Sequence, residues 1–515
     1  MEHGAMRRLI VLSALALAVA GAAGTGSGGP EPLGVTHGVA SGDVTAQSAV
    51  IWARASAPAV MHVQYDTDAG FLSPREAGPV PVAEDTDFTG QVRLDELEPA
   101  TRYHYRIWFS GIDGPSEAAP GTFTTAPAPD AARAVSFVVG GDLGGQRYCR
   151  RAGVGYAIFS AMAGLAPDFF VANGDMIYAD GDCPAAGPDG WSNIPGDFLS
   201  VADPSVDWTN VAALREIYRR HWRYNRADPH LQAFLRQVPM YAQWDDHEVI
   251  NDFGASWDHW NVLAAQRLGF QNLVAVGRET LFHYSPIARD PGDPARIYRA
   301  VRWGQDLELF IVDARSYRSR NDLADTPQNA KTLLGPGQLA WLEQGLAAST
   351  ATWKVVSIDV PLSIPTGGNA AVFGRDAWAN GTAPDFSAQT GFERELLGLA
   401  RVLDARNVRN LVFVVTDVHF AATIRYAVDA DADGDQLVFH ELVTGPLNAV
   451  RGPAPTQAML DPTLGPTLLF GDGPLFNFGY VRIARAADGR VHLIADVRDE
   501  TGAPRAGSHL DLAAE

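Results

Sequence analysis

The chain has 515 residues, with 40 Lys and Arg against 60 Asp and Glu and a formal net charge of -20. That length exceeds one ordinary domain of about 100–200 residues, so a leader and two folded units are expected. The acidic balance excludes general affinity for nucleic acid, which needs a basic surface that releases counterions. At the start, Arg7 and Arg8 precede an apolar run over residues 9–20 that ends in Ala18-Val19-Ala20. A basic start, a short apolar core and small residues before a cleavage point make the pattern of an export signal. The run is too short for a comfortable membrane span of about 20 residues. Residues 1–32 therefore read as signal peptide and linker, and the destination as extracytoplasmic, either periplasmic or secreted. Met6 is an alternative start, and the Arg pair lacks the longer motif of twin-arginine export. No later segment is apolar for long enough to give a stable membrane span.

Residues 33–126 hold short alternating runs, among them Ala49-Val50-Ile51-Trp52-Ala53 and Arg102-Tyr103-His104-Tyr105-Arg106-Ile107. Alternation of period two between turn residues predicts an antiparallel β-sandwich. The stretch Leu97-Glu98-Pro99-Ala100-Thr101-Arg102-Tyr103 resembles the corner of a fibronectin type III sandwich, with Tyr103 a fold feature rather than a catalyst. Ala126-Pro127-Ala128-Pro129 is the predicted interdomain linker.

Residues 130–500 read differently. Apolar runs at 135–139, 169–172, 240–244, 354–358 and 411–415 are too continuous for half-exposed strands. They alternate with helical patterns at 156–165, 211–224, 338–348 and 392–403. Doubly buried strands plus helices predict a layered α/β domain. Two final runs, 480–484 and 491–497, flank Asp488-Gly489 as a hairpin.

The residues just after each apolar run point to chemistry. The runs lead into Gly141-Asp142-Leu143-Gly144, Gly174-Asp175-Met176-Ile177-Tyr178, Asp245-Asp246-His247-Glu248, Asp359 and Thr416-Asp417-Val418-His419. Carboxyl ends of strands in an α/β sheet share one rim, so these groups are expected at one edge. Carboxylates gathered there repel one another, and cations offset that repulsion. Asp, Tyr and His are suitable donors. A single Asp at such a place reads equally as a turn or cap. Five such sites in one chain do not, because caps need no such repetition. Cys149 and Cys183 leave two readings open, one disulfide in an oxidising compartment or Cys149 as a metal ligand.

Taken together and in order, these motifs resemble the calcineurin-like metallophosphatases. Val312-Asp313-Ala314-Arg315-Ser316-Tyr317-Arg318 narrows the resemblance to the alkaline phosphatase D family, which also contains a phospholipase D type. The resemblance implies a four-layer α/β/β/α metallophosphoesterase sandwich preceded by the all-β fibronectin III-like sandwich. It implies a first metal held by Asp142, Tyr178 and His419, with Asp175 bridging. A second metal takes Asp175, Asp246 and Asp417, with Asp359 as a further donor. A phenolate ligand favours Fe3+, and the oxygen-only set favours a hard cation such as Ca2+, with Mn2+ or Zn2+ as alternatives. Relatives carry Cys where Asp142 stands here, which leaves Cys149 free to pair with Cys183.

The expected reaction is hydrolysis of phosphate mono- or diesters. Two ions about 3.5–4 Å apart acidify a bound water, whose hydroxide attacks phosphorus in line with the leaving alcohol. His247 is the expected proton donor or phosphate-positioning group, with a supporting partner to Asp246 as the alternative, and Arg315 reads either as a phosphate contact or as an internal salt bridge to an acidic loop. The partner is a small phosphate ester or a phospholipid. A calcium-stabilised binding protein without turnover is the competing class, but it requires neither Tyr178 nor His247. Asp429-Ala430-Asp431-Ala432-Asp433-Gly434-Asp435 imitates the first half of an EF-hand loop, yet His440 occupies the twelfth position, where Glu is needed. It reads as a tight acidic turn between strands. Trp257, Trp260 and Phe270 read as core aromatics, with a substrate pocket as the alternative.

Overall fold

A computed structural model describes residues 32–254, 268–321, 323–366, 376–379 and 391–515. The export-signal residues, Trp257 and Trp260 lie outside the described residues.

The N-terminal part holds β1 (Val35–Gly42), β2 (Ala49–Ala55), β3 (Ala59–Asp66), β4 (Arg75–Val82), β5 (Thr89–Leu94), β6 (Arg102–Gly111), β7 (Gly114–Pro115) and β8 (Ala119–Thr124). Next along the chain come β9 (Val135–Gly140), α1 (Ile158–Gly164), β10 (Phe169–Asn173), α2 (Val211–Arg226), α3 (Pro229–Leu235), β11 (Met240–Gln243) and α4 (Phe270–Tyr284). The second half carries β12 (Arg299–Trp303), β13 (Leu307–Ile311), α5 (Gly335–Ala348), β14 (Trp353–Ser357), α6 (Glu393–Ala405) and β15 (Leu411–Val415). It closes with β16 (Ala421–Val428), β17 (Leu437–Val443), β18 (Thr467–Asp472), β19 (Asn477–Arg485), β20 (Val491–Asp499) and β21 (Leu510–Ala513).

A nine-stranded sheet runs β21-β20-β19-β9-β10-β11-β1-β2-β5, and a seven-stranded sheet runs β12-β13-β14-β15-β17-β16-β18. Side-chain alternation along the strands sets the layers. Phe137 and Val139 of β9, Phe169 and Val171 of β10 and Tyr241 of β11 pack with Val355 of β14 and Val412 and Val414 of β15. Their neighbours Val138, Phe170 and Ala172 face the other way, onto Leu214 and Tyr218 of α2 and Phe234 of α3. On the second sheet Val356, Phe413 and Val415 turn outward onto Leu342 and Leu346 of α5 and Leu396 and Leu399 of α6. The order is helix, sheet, sheet, helix. Each fully buried Val, Leu or Phe contributes about 1.5–3 kcal/mol relative to exposure, so slipping a strand by one residue is strongly disfavoured.

The N-terminal strands form a second, all-β core. Val39, Ile51, Met61, Val63, Tyr103, Tyr105 and Phe123 meet inside it. The corner residue Tyr103 accepts a 2.9 Å hydrogen bond from the Glu98 amide, a fold role as the sequence implies. This sandwich is not cleanly separated from the α/β layers. β1 pairs in parallel with β11 at Gly42 and Met240, so one of its sheets continues into the nine-stranded sheet. A side chain at Gly42 would come 2.6 Å from the Met240 carbonyl, so only glycine allows this approach.

One expectation needs correction here. The ligand-bearing runs do not lie on a single sheet. β9, β10 and β11 belong to one sheet and β14 and β15 to the other. The carboxyl ends of two facing sheets supply the groups, because each strand set is parallel and Asn173 at the end of β10 meets Ile358 and Val414 at the ends of β14 and β15. Among the described residues no helix is long and apolar enough to cross a membrane.

Candidate metal centre

Asn173, the last residue of β10, ties the two sheets together at this rim. Its amide donates to the carbonyls of Ile358 (3.1 Å) and Val414 (3.2 Å), and its oxygen accepts from Ser357 (2.7 Å). Just beyond it the chain turns sharply. Asp142, Asp175, Asp417 and His419 all adopt left-handed backbone, with φ of 60, 52, 73 and 60°. Such conformations are uncommon outside glycine, and each disfavoured one is held only by its surroundings. Here they direct the side chains inward. Gly174 has φ +95°, and a Cβ there would lie 2.5 Å from the Asp245 Cβ.

The gathered groups overlap. One ligand atom each from Asp142, Asp175 and His419 lies within 4.8 Å of the others. The same holds for Asp175, Asp246 and His247, and for Asp245, Asp246 and Asp417. Asp175 thus belongs to the first two groups and Asp246 to the last two. Tyr178 joins the first, its hydroxyl 3.0 Å from His419 Nε2. His419 Nδ1 sits 2.7 Å from the Val450 carbonyl. With the proton on Nδ1, the Nε2 lone pair accepts from the Tyr178 hydroxyl and lies 3.8 Å from Asp142.

The electrostatics suit cations. Both Asp142 oxygens, Asp246 Oδ1, Asp245 Oδ2 and Asp417 Oδ2 are buried and accept no hydrogen bond. Burial pushes Asp142 up to about 8. Burial and the charges of Asp245, Asp246, Glu248 and Asp142 raise Asp175 well above the carboxylate range. Asp417 is raised likewise, by burial and then by Asp246 and Asp376. Burial opposes the ionisation of Asp246 too, yet His247 and Arg315 hold it down to about 2. Isolated buried carboxylates are strongly disfavoured unless paired or metal-bound. Unpaired oxygens, several carboxylates, one imidazole and one phenol form a donor set that fits hard or borderline cations. Tyr178 is held far above its ordinary pKa by burial and by Asp175 and Asp142, so only a highly charged cation would take it as phenolate.

His247 stacks on Tyr178 with ring centres 4.0 Å apart. Its Nδ1 meets Asp180 at 2.6 Å, while Nε2 stands 3.9 Å from Asp246 and 4.0 Å from Asp175. Burial works against its protonation, but Asp180 and Asp246 raise it to about 10. A cleft of about 580 Å³ opens over these groups, lined by His247, Asp417, His419, Ile364, Phe420 and Arg451 among others.

Burial bears on the two readings of Arg315. Arg315 has no exposed surface, so it does not contact phosphate. Its guanidinium meets Asp245 at 2.8 Å, Asp359 at 3.0 Å and Asp376 at 2.7 Å, and it neutralises the floor of the centre. Asp359 accepts from Arg315 through Oδ2, while its Oδ1 is buried and accepts no hydrogen bond. Cys149 and Cys183 are joined in a disulfide, which removes Cys149 from the ligand set and links the two ligand loops after β9 and β10. Phe270 packs in the helix-side core, as expected.

Other contributors escaped the sequence reading. Glu248 accepts from the amides of Asp175 (3.0 Å), Met176 (2.7 Å) and Asp245 (2.9 Å) and so fixes two ligand loops at once. Asp245 and Glu248 stand inside a recognised motif, and Asp180 lies shortly after Asp175. Asp376 and Arg451 carry no local signal. Arg451 lies over Tyr148 and Phe476 at the cleft wall.

Comparison with known proteins agrees with this geometry. The sequence model of the PhoD-like phosphatases matches residues 137–483, and that of the PhoD-like phosphatase N-terminal domain matches residues 21–127. Alkaline phosphatase D of Bacillus subtilis (strain 168) is 26% identical over 447 residues, covering 79% of this chain and 68% of that protein. Among solved structures, PhoD superposes with a TM-score of 0.69 at 20% identity, over 93% of this chain and 92% of that one. Purple acid phosphatase PPD1 from yellow lupin (Lupinus luteus) seeds gives a TM-score of 0.58 at 14% identity, over 94% and 75% of the respective chains.

Proposed function

The chain belongs to the PhoD-like phosphatase family and is a hydrolase acting on phosphate esters, and from that premise we propose that it is an exported two-metal phosphoesterase. The observation that supports the proposal is that Asp175 has a carboxylate oxygen within 4.8 Å of ligand atoms of Asp142 and His419 on one side and of Asp246 on the other, the place a bridging ligand would take. Asp142, Tyr178 and His419 would hold the first cation with Asp175, and Asp246 and Asp417 would hold the second with Asp175, with Asp245 as an added donor. Fe3+ suits the side carrying Tyr178 and Ca2+ the oxygen-only side, with Mn2+ or Zn2+ as the alternatives that elemental analysis separates. When bound, such a pair supplies Lewis acidity to phosphate oxygens and lowers the pKa of water.

The protein's own groups do the rest. The left-handed turns hold the ligands rigidly, and Arg315 offsets excess negative charge beneath them. His247, oriented by Asp180, presents Nε2 toward the cleft, where it delivers a proton to the leaving alkoxide. Arg451 at the wall attracts the anionic ester. A second reading, a phosphodiesterase of the phospholipase D type, draws on the apolar walls at Ile364, Phe420 and Met459, which suit an organic substituent.

A panel of nitrophenyl phosphate, its bis-ester and phosphatidylcholine, assayed before and after chelator treatment, tests these readings. Turnover is expected to vanish on chelation and return with metal. In His247→Ala, esters with basic leaving groups are expected to lose about 10²–10⁴-fold, more than nitrophenyl esters do. Chelator-resistant turnover would remove the metal mechanism, and equal losses would remove the proton-donor role.

Two modules, 33–126 and 130–500, and delivery outside the cytoplasm complete the proposal. The Cys149–Cys183 bond suits an oxidising compartment. N-terminal sequencing of the exported protein is expected to begin between residues 21 and 33; a retained leader would count against a cleaved signal.

A further inference from the structure

The acidic turn at 429–436 joins β16 to β17. β15 and β17 run parallel, pairing Leu411 with Phe439, so this turn lies at the amino-terminal edge of the seven-stranded sheet. The metal centre lies at the opposite, carboxyl-terminal edge. Asp429, Asp431, Asp433 and Asp435 with Gly434 reproduce positions 1, 3, 5, 7 and 6 of an EF-hand loop, and Gly434 takes the φ of +101° that such a sharp turn needs. What the sequence lacks is the closing carboxylate, since His440 belongs to β17.

The fold supplies a carboxylate from elsewhere. Asp404, next to last in α6, reaches the turn, and one carboxylate oxygen each from Asp404, Asp429 and Asp431 lies within 4.8 Å of the others. Asp404 is only 4% exposed. Its Oδ2 accepts from the amides of Ala430 (2.6 Å) and Asp431 (3.4 Å), but its Oδ1 is buried and accepts no hydrogen bond. A carboxylate in the last turn of a helix also faces the negative end of the helix dipole. Among the described residues none of the three acids forms an ion pair. The nearby guanidiniums meet other groups of the same turn, Arg409 the Asp435 carboxylate at 2.8 Å and Arg401 the Ala430 carbonyl at 3.4 Å. A buried, unpaired carboxylate oxygen beside two further acids calls for a cation.

We propose that Asp404, Asp429 and Asp431 hold one divalent cation of the calcium class, which pins the β16–β17 turn to the end of α6, apart from the catalytic centre. All donors are hard oxygens. Solvent access to Asp429 suits waters completing the six to eight ligands that calcium takes, with a Kd near the ~10⁻⁴–10⁻³ M of extracellular calcium modules.

The test uses full-length protein with its catalytic metals in place. Calcium binding is counted by equilibrium dialysis for wild type, Asp429→Asn/Asp431→Asn and Asp404→Asn. Asn at 404 retains an acceptor for the Ala430 amide, so this variant should fold. The expected result is one calcium fewer per chain in both variants, a smaller calcium-dependent rise in Tm, and unchanged turnover of nitrophenyl phosphate. An equal calcium count in wild type and either variant would overturn the proposal.

Discussion

Asp175→Asn is expected to lower phosphate-ester turnover by about 10³-fold, equivalent to ~4 kcal/mol of lost transition-state stabilisation, without destabilising the metal-free protein. The two effects separate because of what surrounds this residue. Its carboxylate is buried amid Asp142, Asp245, Asp246 and Glu248, and their charges raise its pKa. A neutral amide relieves that repulsion. Asn also retains an oxygen for the 3.0 Å hydrogen bond from the His247 amide. Only the negative charge shared between the two donor groups is lost. Metal content by elemental analysis should fall with activity, while the unfolding midpoint of the stripped protein holds or rises. Near-wild-type turnover would dispose of the bridging role.

Arg315→Met is expected to act the opposite way, through the fold. The guanidinium is fully buried and meets Asp245, Asp359 and Asp376. Asp376 also pairs with Arg318, so the arrangement is a network rather than one pair. Removing the central cation leaves buried carboxylates uncompensated, and breaking such a pair costs about 3–5 kcal/mol. Chemical denaturation should show that loss. Arg315→Lys should restore little of it, because an ammonium cannot reach three carboxylates with a planar fork. If Arg315→Met instead unfolded like wild type and merely raised KM, the phosphate-contact reading from the sequence would stand and the structural one would fail.

Much of the centre is legible in the sequence because parallel strands buried on both faces announce themselves as continuous apolar runs. The residue after such a run sits at a rim by geometry alone. Asp142, Asp175, Asp246, Asp417 and His419 are found that way. Tyr178 comes from the motif around Asp175. The same reasoning fails for Asp376 and Arg451, which no strand end delivers and whose approach depends on long-range packing. It also leaves the role of Arg315 open between two readings. A sequence displays an arginine near acidic residues but not its burial, and burial decides between a substrate contact and an internal counter-charge.

The acidic turn teaches the same lesson at another edge. Its spacing is visible along the chain, and so is the lack of a twelfth ligand. The carboxylate that meets it, Asp404, is 25 residues before Asp429 on a different element. Local pattern reports what neighbours along the chain can do; it is silent on distant partners. By itself, then, the order of apolar runs and acidic motifs determined the strand order along the chain and the acidic and imidazole groups that follow the strands, because period and composition act locally, while the phosphoesterase class followed from the motifs' resemblance to a known family. Only the tertiary structure decided that two sheets share the ligands, that Arg315 lies beneath them and that Cys149 is spent in a disulfide. Each of those depends on which buried charges and side chains meet once hydrophobic burial has closed the layers.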